Sequence, residues 1–515
     1  MKNRRFIYGS FIMIFMNIFT RFFGFTYEIL LSKILGAEAM GVFQMATSLL
    51  MFFLVFTISG VPTSVTKFVA QEVSLNNKYN VEKIFKTSLT FNFFMSIFLS
   101  FILFSFSEFI AIQVFKDKSM MIAVYLLIPP LIIISCSNII RSYFYGRKNM
   151  VTPSVSQTIE HFSRFIIVIG LFFILRPIDP FYGTLIAILG ISIGEFFDIL
   201  WSIFSKKRLY NYEIAKPDNA WNSFKTLSKL LTFSVPLTVS GIFSVSLNFL
   251  NSILIPSRLI YAGYTSSMAM ASFGRITGMV MPLIHLPFVV TSALVVSLIP
   301  SLSEQIMKGQ YEDIKKDISL SIKATLLISI PLTICLIIFH KALALNLYGD
   351  ILVGSYIKIL ALGTPLIALQ HLFLGVLTGI NKQTSSTINR MIGMSIRVFL
   401  IYVLVGNPKY QINGFFISFF ISNLFILLFD IISLKQAFKF KMDYLDLIGK
   451  PILASLFMAM YIKITTGNLE NLSLISFPAL LFIILISLLS YIFILILTNA
   501  IPKDLFKRIF LFKNR

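Results

Sequence analysis

Four arginines stand inside stretches of this sequence that are otherwise apolar: Arg21, Arg164, Arg275 and Arg397. If such a stretch spans a membrane, an arginine at mid-bilayer costs about 2.5–3.5 kcal/mol on insertion scales, so it has to face a cavity or a partner. A guanidinium presents a planar fork of donors that matches phosphate or carboxylate oxygens in pairs. An excess of buried cation therefore points to an anionic ligand, with Arg21, Arg397, Arg275 and Arg164 as candidate ligand-binding residues. The groups placed to gate such a site or to couple it to an ion are Glu28, Glu160, Glu195 and His285, the last lying within "MPLIHLP" (281–287). Glu160 and Arg164 are four residues apart, acid first, the favoured order for a pair on one helix face. Arg21 and Glu28 are seven apart, on one face but about 10 Å from each other along the axis. Glu28 and Arg275 match in depth, which suggests an outer ion pair between them. Asp198 and Asp430 read as anchors of helix ends.

The elements that must hold these residues are membrane helices. The 515 residues are 57% hydrophobic and include 55 Phe, with only 13% charged. Fourteen apolar runs, from 6–31 and 41–66 through 272–300 to 446–465 and 474–499, are each long enough to cross a hydrocarbon core of about 30 Å. The expected fold is all-α and polytopic, with about fourteen transmembrane helices. "MKNRR" before the first run imitates a signal peptide, and Ala37-Glu38-Ala39 imitates a cleavage site. The run is about twice a signal core in length and carries charges, so it reads as a retained helix. With both termini in the cytoplasm, most of the 44 Lys+Arg fall at cytoplasmic ends and loops. That positive-inside bias accounts for the +22 net charge without nucleic acid, in a multi-pass protein of the cell membrane. Cys136, Cys335 and the four scattered histidines have no metal-ligand spacing, and no Gly-rich phosphate loop is present. Neither a metal nor a cofactor is expected.

The chain also repeats itself. An offset of 233 superposes Gly41 on Gly274, Ser64 on Ser297, Lys83 on Lys316, Gly146 on Gly379 and Arg164 on Arg397, and an offset of 232 pairs the two "FDI" triplets at 197–199 and 429–431. This divides the chain into a six-helix half at 1–205, a basic cytoplasmic linker at 206–229, a second six-helix half at 230–436, a helix pair at 437–500 and a basic tail at 501–515. Six is even, so the halves are parallel repeats about a pseudo-twofold axis along the membrane normal, an arrangement suited to rocking-type alternating access. Pro129, Pro130, Pro236, Pro282, Pro287, Pro331 and Pro365 fall within the runs as candidate bending points. Gly393 stands where the repeat would place a counterpart of Glu160, which leaves Arg397 without a local counter-charge and makes it the better ligand candidate. The residues themselves take the argument as far as a transporter for an anionic or lipid-linked solute.

"TRFFGFTYEILLSKILGAEAMGVFQMATSLL" (20–50), followed by "GVPTSVTKFVAQEVS" (60–74), resembles the start of polysaccharide-type flippases of the multidrug/oligosaccharidyl-lipid/polysaccharide exporter superfamily. "FGRITGMVMPLIHLPFVVTSALVVSLIPSLSE" (273–304) is similar to a later motif of the same family. The likeness covers essentially the whole chain and is nearest to the sporulation branch, related to MurJ-type lipid II flippases. It implies movement of an undecaprenyl-diphosphate-linked glycan, such as a peptidoglycan precursor for the spore cortex, from inner to outer leaflet. The implied partners are that lipid-linked anionic glycan, membrane lipids and, as a candidate, the cell-wall synthesis machinery. Arg21, Gly24, Phe25 and Glu28 match the MurJ-type pattern, while Tyr27 stands where it carries a second arginine and joins the candidate substrate contacts. The competing readings are a cation-coupled multidrug exporter of the same superfamily and a membrane enzyme acting on lipid-linked sugars. The expectation is that the protein is not an enzyme.

Overall fold

The computed structural model describes residues 2–116, 118–175, 179–210, 221–438, 445–466 and 476–498. The middle of the expected linker and the basic tail at 501–515 lie outside the described residues. Every regular element among the described residues is helical, and fourteen segments are long and apolar enough to cross a membrane. The number agrees with the sequence reading, but the segmentation differs at 272–300. Helix α1 (Lys2–Ile58) runs over 57 residues, about 85 Å and too long for one crossing, and it breaks inside the connection expected between the first two runs. It is two helices joined at Gly36, whose φ of 76° is a conformation that L side chains rarely adopt. The single run expected at 272–300 is instead broken. Helix α2 below, at Val61–Ser74, and α3, at Lys78–Ser105, continue the chain from α1.

The chain forms two compact units, Met1–Gly274 and Arg275–Arg515. In the first, α4 (Ile128–Gly146), α5 (Val151–Ile174) and α6 (Pro180–Tyr210) follow, and α7 (Ser223–Tyr261) and α8 (Ser266–Gly274) pack against α1. The first unit thus takes in two helices that the repeat assigns to the second half. The second unit opens with a wide π-helical turn at Arg275–Val280 and a short helix at Met281–Ile284, then continues as α9 (Phe288–Met307) and α10 (Tyr311–Ile338). It goes on through α11 (Ile351–Leu360), α12 (Thr364–Gly379), α13 (Gln383–Leu400), α14 (Ile412–Ala437), α15 (Lys450–Thr466) and α16 (Phe477–Leu497).

Helix α3 shows lipid acting as the solvent. Its buried face carries Ser88, Asn92 and Ser96, while Phe94, Phe98 and Phe101 are exposed. Small and polar side chains gain more from neighbouring helices than from hydrocarbon, which is equivalent to Phe in polarity. Asn92 Nδ2 donates to the Thr57 carbonyl at 3.1 Å and the Ser135 carbonyl at 3.2 Å, tying α3 to α1 and α4. Of the prolines expected to bend helices, Pro129, Pro130, Pro282 and Pro365 sit in first turns, where the missing N–H has no intrahelical partner to lose. Pro236 and Pro331 remain as interior prolines.

The repeat is visible as a physical contact where α1 crosses α8. A Cβ added to Gly41 would lie 2.2 Å from the Met270 carbonyl oxygen, and one on Gly274 would lie 1.9 Å from that of Ala37. Both pairs are related by the offset of 233, so each glycine receives the backbone opposite its own repeat mate. Gly274→Ala should force the backbones apart and lower stability by about 1–3 kcal/mol, checked by the melting temperature in nanodiscs.

Candidate functional site

The "TRFFGFTYE" segment of α1 uses two faces. Thr20, Phe23, Gly24 and Tyr27 follow an i, i+3, i+4, i+7 stripe that packs on α5. Thr20 Oγ1 lies 3.0 Å from Thr158 Oγ1, the Phe23 ring meets Phe162 and Phe165 edge-on at 5.5 and 5.9 Å, and Gly24 faces the His161 ring. Tyr27 is 8% exposed, and its hydroxyl has no hydrogen-bond partner. Arg21 lies on the exposed side of α1 with no ion pair among the described residues. Glu28 accepts a hydrogen bond from Gln44 Nε2 at 3.0 Å.

Behind that stripe the first unit encloses a buried ionic cluster. Arg164 Nη2 donates to Glu160 Oε1 at 2.6 Å, the pair expected from the sequence. The centre of the cluster is Arg141 of α4. Its Nη2 meets Glu195 Oε2 at 2.8 Å, Asp198 Oδ2 at 3.1 Å and Glu160 Oε2 at 3.2 Å, and its Nε also donates to Asp198 Oδ2 at 3.2 Å. Ser137 Oγ donates to the same Asp198 oxygen. Asp198 is therefore a cross-helix tie rather than a helix-end anchor. Gly190 and Gly194 allow α6 to lie this close to α5: a Cβ at Gly190 would be 2.3 Å from Val168 Cγ2, and one at Gly194 would be 3.0 Å from the Glu160 carbonyl oxygen.

The second unit answers its arginines differently. Arg397, on α13, is half-buried; its Nε donates to Ser422 Oγ at 2.8 Å and its guanidinium lies over the Phe419 ring at 5.2 Å. No carboxylate among the described residues pairs with it. Gly393 explains why no glutamate could take the place of Glu160 here. A Cβ at that position would lie 2.1 Å from Ile426 Cγ1, because α13 and α14 pack backbone to side chain. Asp430, the repeat mate of Asp198, accepts from Asn389 Nδ2 at 2.8 Å, again across helices.

Arg275 is not answered by Glu28: its Nε donates to Asp350 Oδ2 at 2.7 Å, while Glu28 is held by Gln44. Asp350 also accepts from the Leu352 N–H at 2.9 Å and so caps α11. Asp350→Ala should lose both contacts and about 1–2 kcal/mol of stability, measured by thermal unfolding. His285 stands at the break before α9 and stacks on Phe288 at 4.9 Å, whose other neighbour in the stack is His371 at 4.5 Å. Thr291 Oγ1 lies 2.9 Å from His371 Nδ1. No group of three or more His, Cys, Asp or Glu among the described residues could hold a metal ion.

Residues 6–306 match the polysaccharide biosynthesis protein family, and residues 236–403 match the MatE family. The chain belongs to the polysaccharide biosynthesis protein family. Among its curated relatives, this family member is 26% identical to stage V sporulation protein B of Bacillus subtilis (strain 168), over 80% of each chain. It is 22% identical to lipid II flippase MurJ of the same organism, over 83% of this chain and 82% of that one. Its fold is that of a solved lipid II flippase MurJ in an inward closed conformation, with a TM-score of 0.71 at 17% identity, covering 97% of this chain and 99% of that one. A multidrug resistance MATE family transporter of the MOP superfamily, in an inward-facing conformation, follows with a TM-score of 0.64 at 13% identity, covering 87% and 96%. The polysaccharide biosynthesis family member is thus a multi-pass membrane protein that shares its fold with these two solved transporters.

Within this family member, sequence reasoning missed Arg141, Asp350, Gln44 and Ser422. Arg141 is two residues from the end of the run at 121–143, so it reads as one more cytoplasmic-end charge. The available signal was that Ser137 and Arg141 are four apart and share a face with nothing local to bind.

Proposed function

We propose that this protein moves an anionic lipid-linked glycan across the cell membrane, from the inner to the outer leaflet, by alternating access. The glycan of this reading is an undecaprenyl-diphosphate-linked peptidoglycan precursor destined for the spore cortex, and both termini are cytoplasmic. The observation that carries the reading is Arg397: a half-buried guanidinium, about 20 Å along its helix, with a hydroxyl and an aromatic ring as neighbours and no acid among the described residues. A charge so placed is offset when an anionic ligand arrives, and its remaining N–H groups suit diphosphate oxygens. Arg21, exposed on α1, is the second proposed contact. Arg275 is the third, and it reaches the substrate by exchanging Asp350 for it. Arg164, paired with Glu160, and Tyr27, on the α1 face packed against α5, act indirectly, from inside the first unit. The relative named lipid II flippase MurJ supports this substrate class and transport rather than catalysis, and the one named stage V sporulation protein B supports a role in sporulation.

The test is a leaflet-resolved assay of lipid II in proteoliposomes, comparing wild type with Arg21→Gln and Arg397→Gln. Loss of translocation in both, with protein still inserted and the lipid chemically unchanged, is the expected result. Normal translocation by both variants would sink the arginine reading, and covalent change to the lipid would favour an enzyme. The MatE match at 236–403 supports cation-coupled drug export as the second reading. It predicts efflux of cationic dyes that is indifferent to Arg397→Gln.

A further inference from the structure

The ionic cluster of the first unit has a charge count that does not balance. Glu160, Glu195 and Asp198 contribute three carboxylates and Arg141 and Arg164 two guanidiniums, all inside the membrane-spanning part of the unit. Asp198 is 0% exposed and Glu160 and Glu195 are each 5% exposed. A net negative charge left in such a place is costly unless something neutralises it.

The hydrogen bonds locate the deficit. Arg141 Nη2 has two hydrogens and faces three carboxylate oxygens, at 2.8, 3.1 and 3.2 Å. Glu160 has a second donor in Arg164, and Asp198 has Arg141 Nε and Ser137. Glu195 has no second donor among the described residues. At the same time Asp198 Oδ1, an acceptor, is buried with no partner, as are the Tyr27 hydroxyl on the α1 side of Arg164 and Arg164 Nε, a donor that reaches none of the carboxylates. The cluster is short of one positive charge, which a single proton supplies.

We infer that the buried cluster of the first unit holds one resident proton, on the Glu195 carboxyl. The neutral carboxyl keeps its carbonyl oxygen toward Arg141, and its other oxygen, which has no donor among the described residues, carries the proton. The cluster is then neutral, with two guanidiniums against two carboxylates. The other titratable groups around it are Tyr27 and Glu28 of α1, Tyr145 of α4 and His161 of α5, and of these His161, next to Glu160, is the one able to bring a positive charge instead. The inference rests on the flippase reading only for its use: a proton that can leave this site would tie the first unit to a proton gradient.

The test uses full-length protein in nanodiscs. Glu195→Gln is a neutral copy of a protonated Glu195, so it should melt within about 2 °C of wild type at neutral pH. Glu160→Gln and Asp198→Asn each remove a required negative charge and should melt at least about 4 °C lower. Infrared difference spectra, wild type minus Glu195→Gln, should contain a protonated-carboxyl carbonyl band. Absence of that band overturns the inference. So does a Glu195→Gln that melts as low as the other two variants or fails to accumulate as folded protein. A charged His161, or a sodium ion that raises the wild-type melting temperature, would produce that overturning pattern. None of these measurements involves a substrate, so their failure leaves the arginine reading standing, and the failure of that reading leaves them intact.

Discussion

Arg141→Met is expected to lower the stability of the folded protein by about 3–5 kcal/mol, the largest effect of any single substitution considered. The side chain is 11% exposed and is the only group that touches all three of Glu160, Glu195 and Asp198 among the described residues. Methionine nearly fills the volume but supplies no donor, so the carboxylates are left facing one another in a low-dielectric interior. Breaking a buried network from one side costs the desolvation of the partners that remain, which is why the loss exceeds the worth of the ion pairs themselves. Arg147→Met is the control. That guanidinium lies 3.7 Å from Glu82 and 4.9 Å over Tyr143, but Lys206 Nζ also reaches Glu82, at 2.8 Å. With the carboxylate still answered, its loss should be about 1 kcal/mol. Thermal unfolding in nanodiscs separates the two, and equal losses would mean that Arg141 is not the hub of its cluster.

Arg397→Gln should behave in the opposite way. No carboxylate among the described residues pairs with this arginine, so the substitution removes a charge that the unliganded protein has to bury, and the melting temperature should stay level or rise. Translocation should nevertheless fall about 10- to 100-fold, the equivalent of one charge-assisted hydrogen-bonding group worth about 1.5–3 kcal/mol. Arg397→Lys keeps the charge but loses the planar fork, so it should recover only part of the rate. The diagnostic feature is the pairing of undiminished stability with lost transport. A stability loss as large as that of Arg141→Met would place Arg397 among structural charges, and a rate within twofold of wild type would remove it from the substrate path.

Glu160 and Arg164 could be paired from the sequence because a helix sets i, i+4 neighbours by itself. Gly393 likewise signalled that Arg397 lacks a local acid, although the reason, the approach of Ile426, required α13 and α14 to be packed. The outer pair of Glu28 with Arg275 rested on depth along the membrane normal alone. Depth says nothing about which direction a side chain faces, and Gln44 and Asp350 took the two partners instead. The prolines show the same limit. Composition placed them within the apolar runs, and only the helix starts at Ile128, Met281 and Thr364 separated first-turn prolines from interior ones.

The sequence by itself determined the all-helical, multi-pass architecture of about fourteen membrane-length segments and the internal repeat. Run length against bilayer thickness is a one-dimensional property, and so is an offset that recurs between Gly41 and Gly274. Tertiary structure alone decided which charges meet. Arg141 reaches Asp198 across 57 residues and Arg275 reaches Asp350 across 75, contacts made by helices that pack side by side with no local pattern to announce them. In lipid, a charge is tolerated only where a neighbouring helix answers it, and helix packing left Arg397 with no carboxylate to answer it among the described residues.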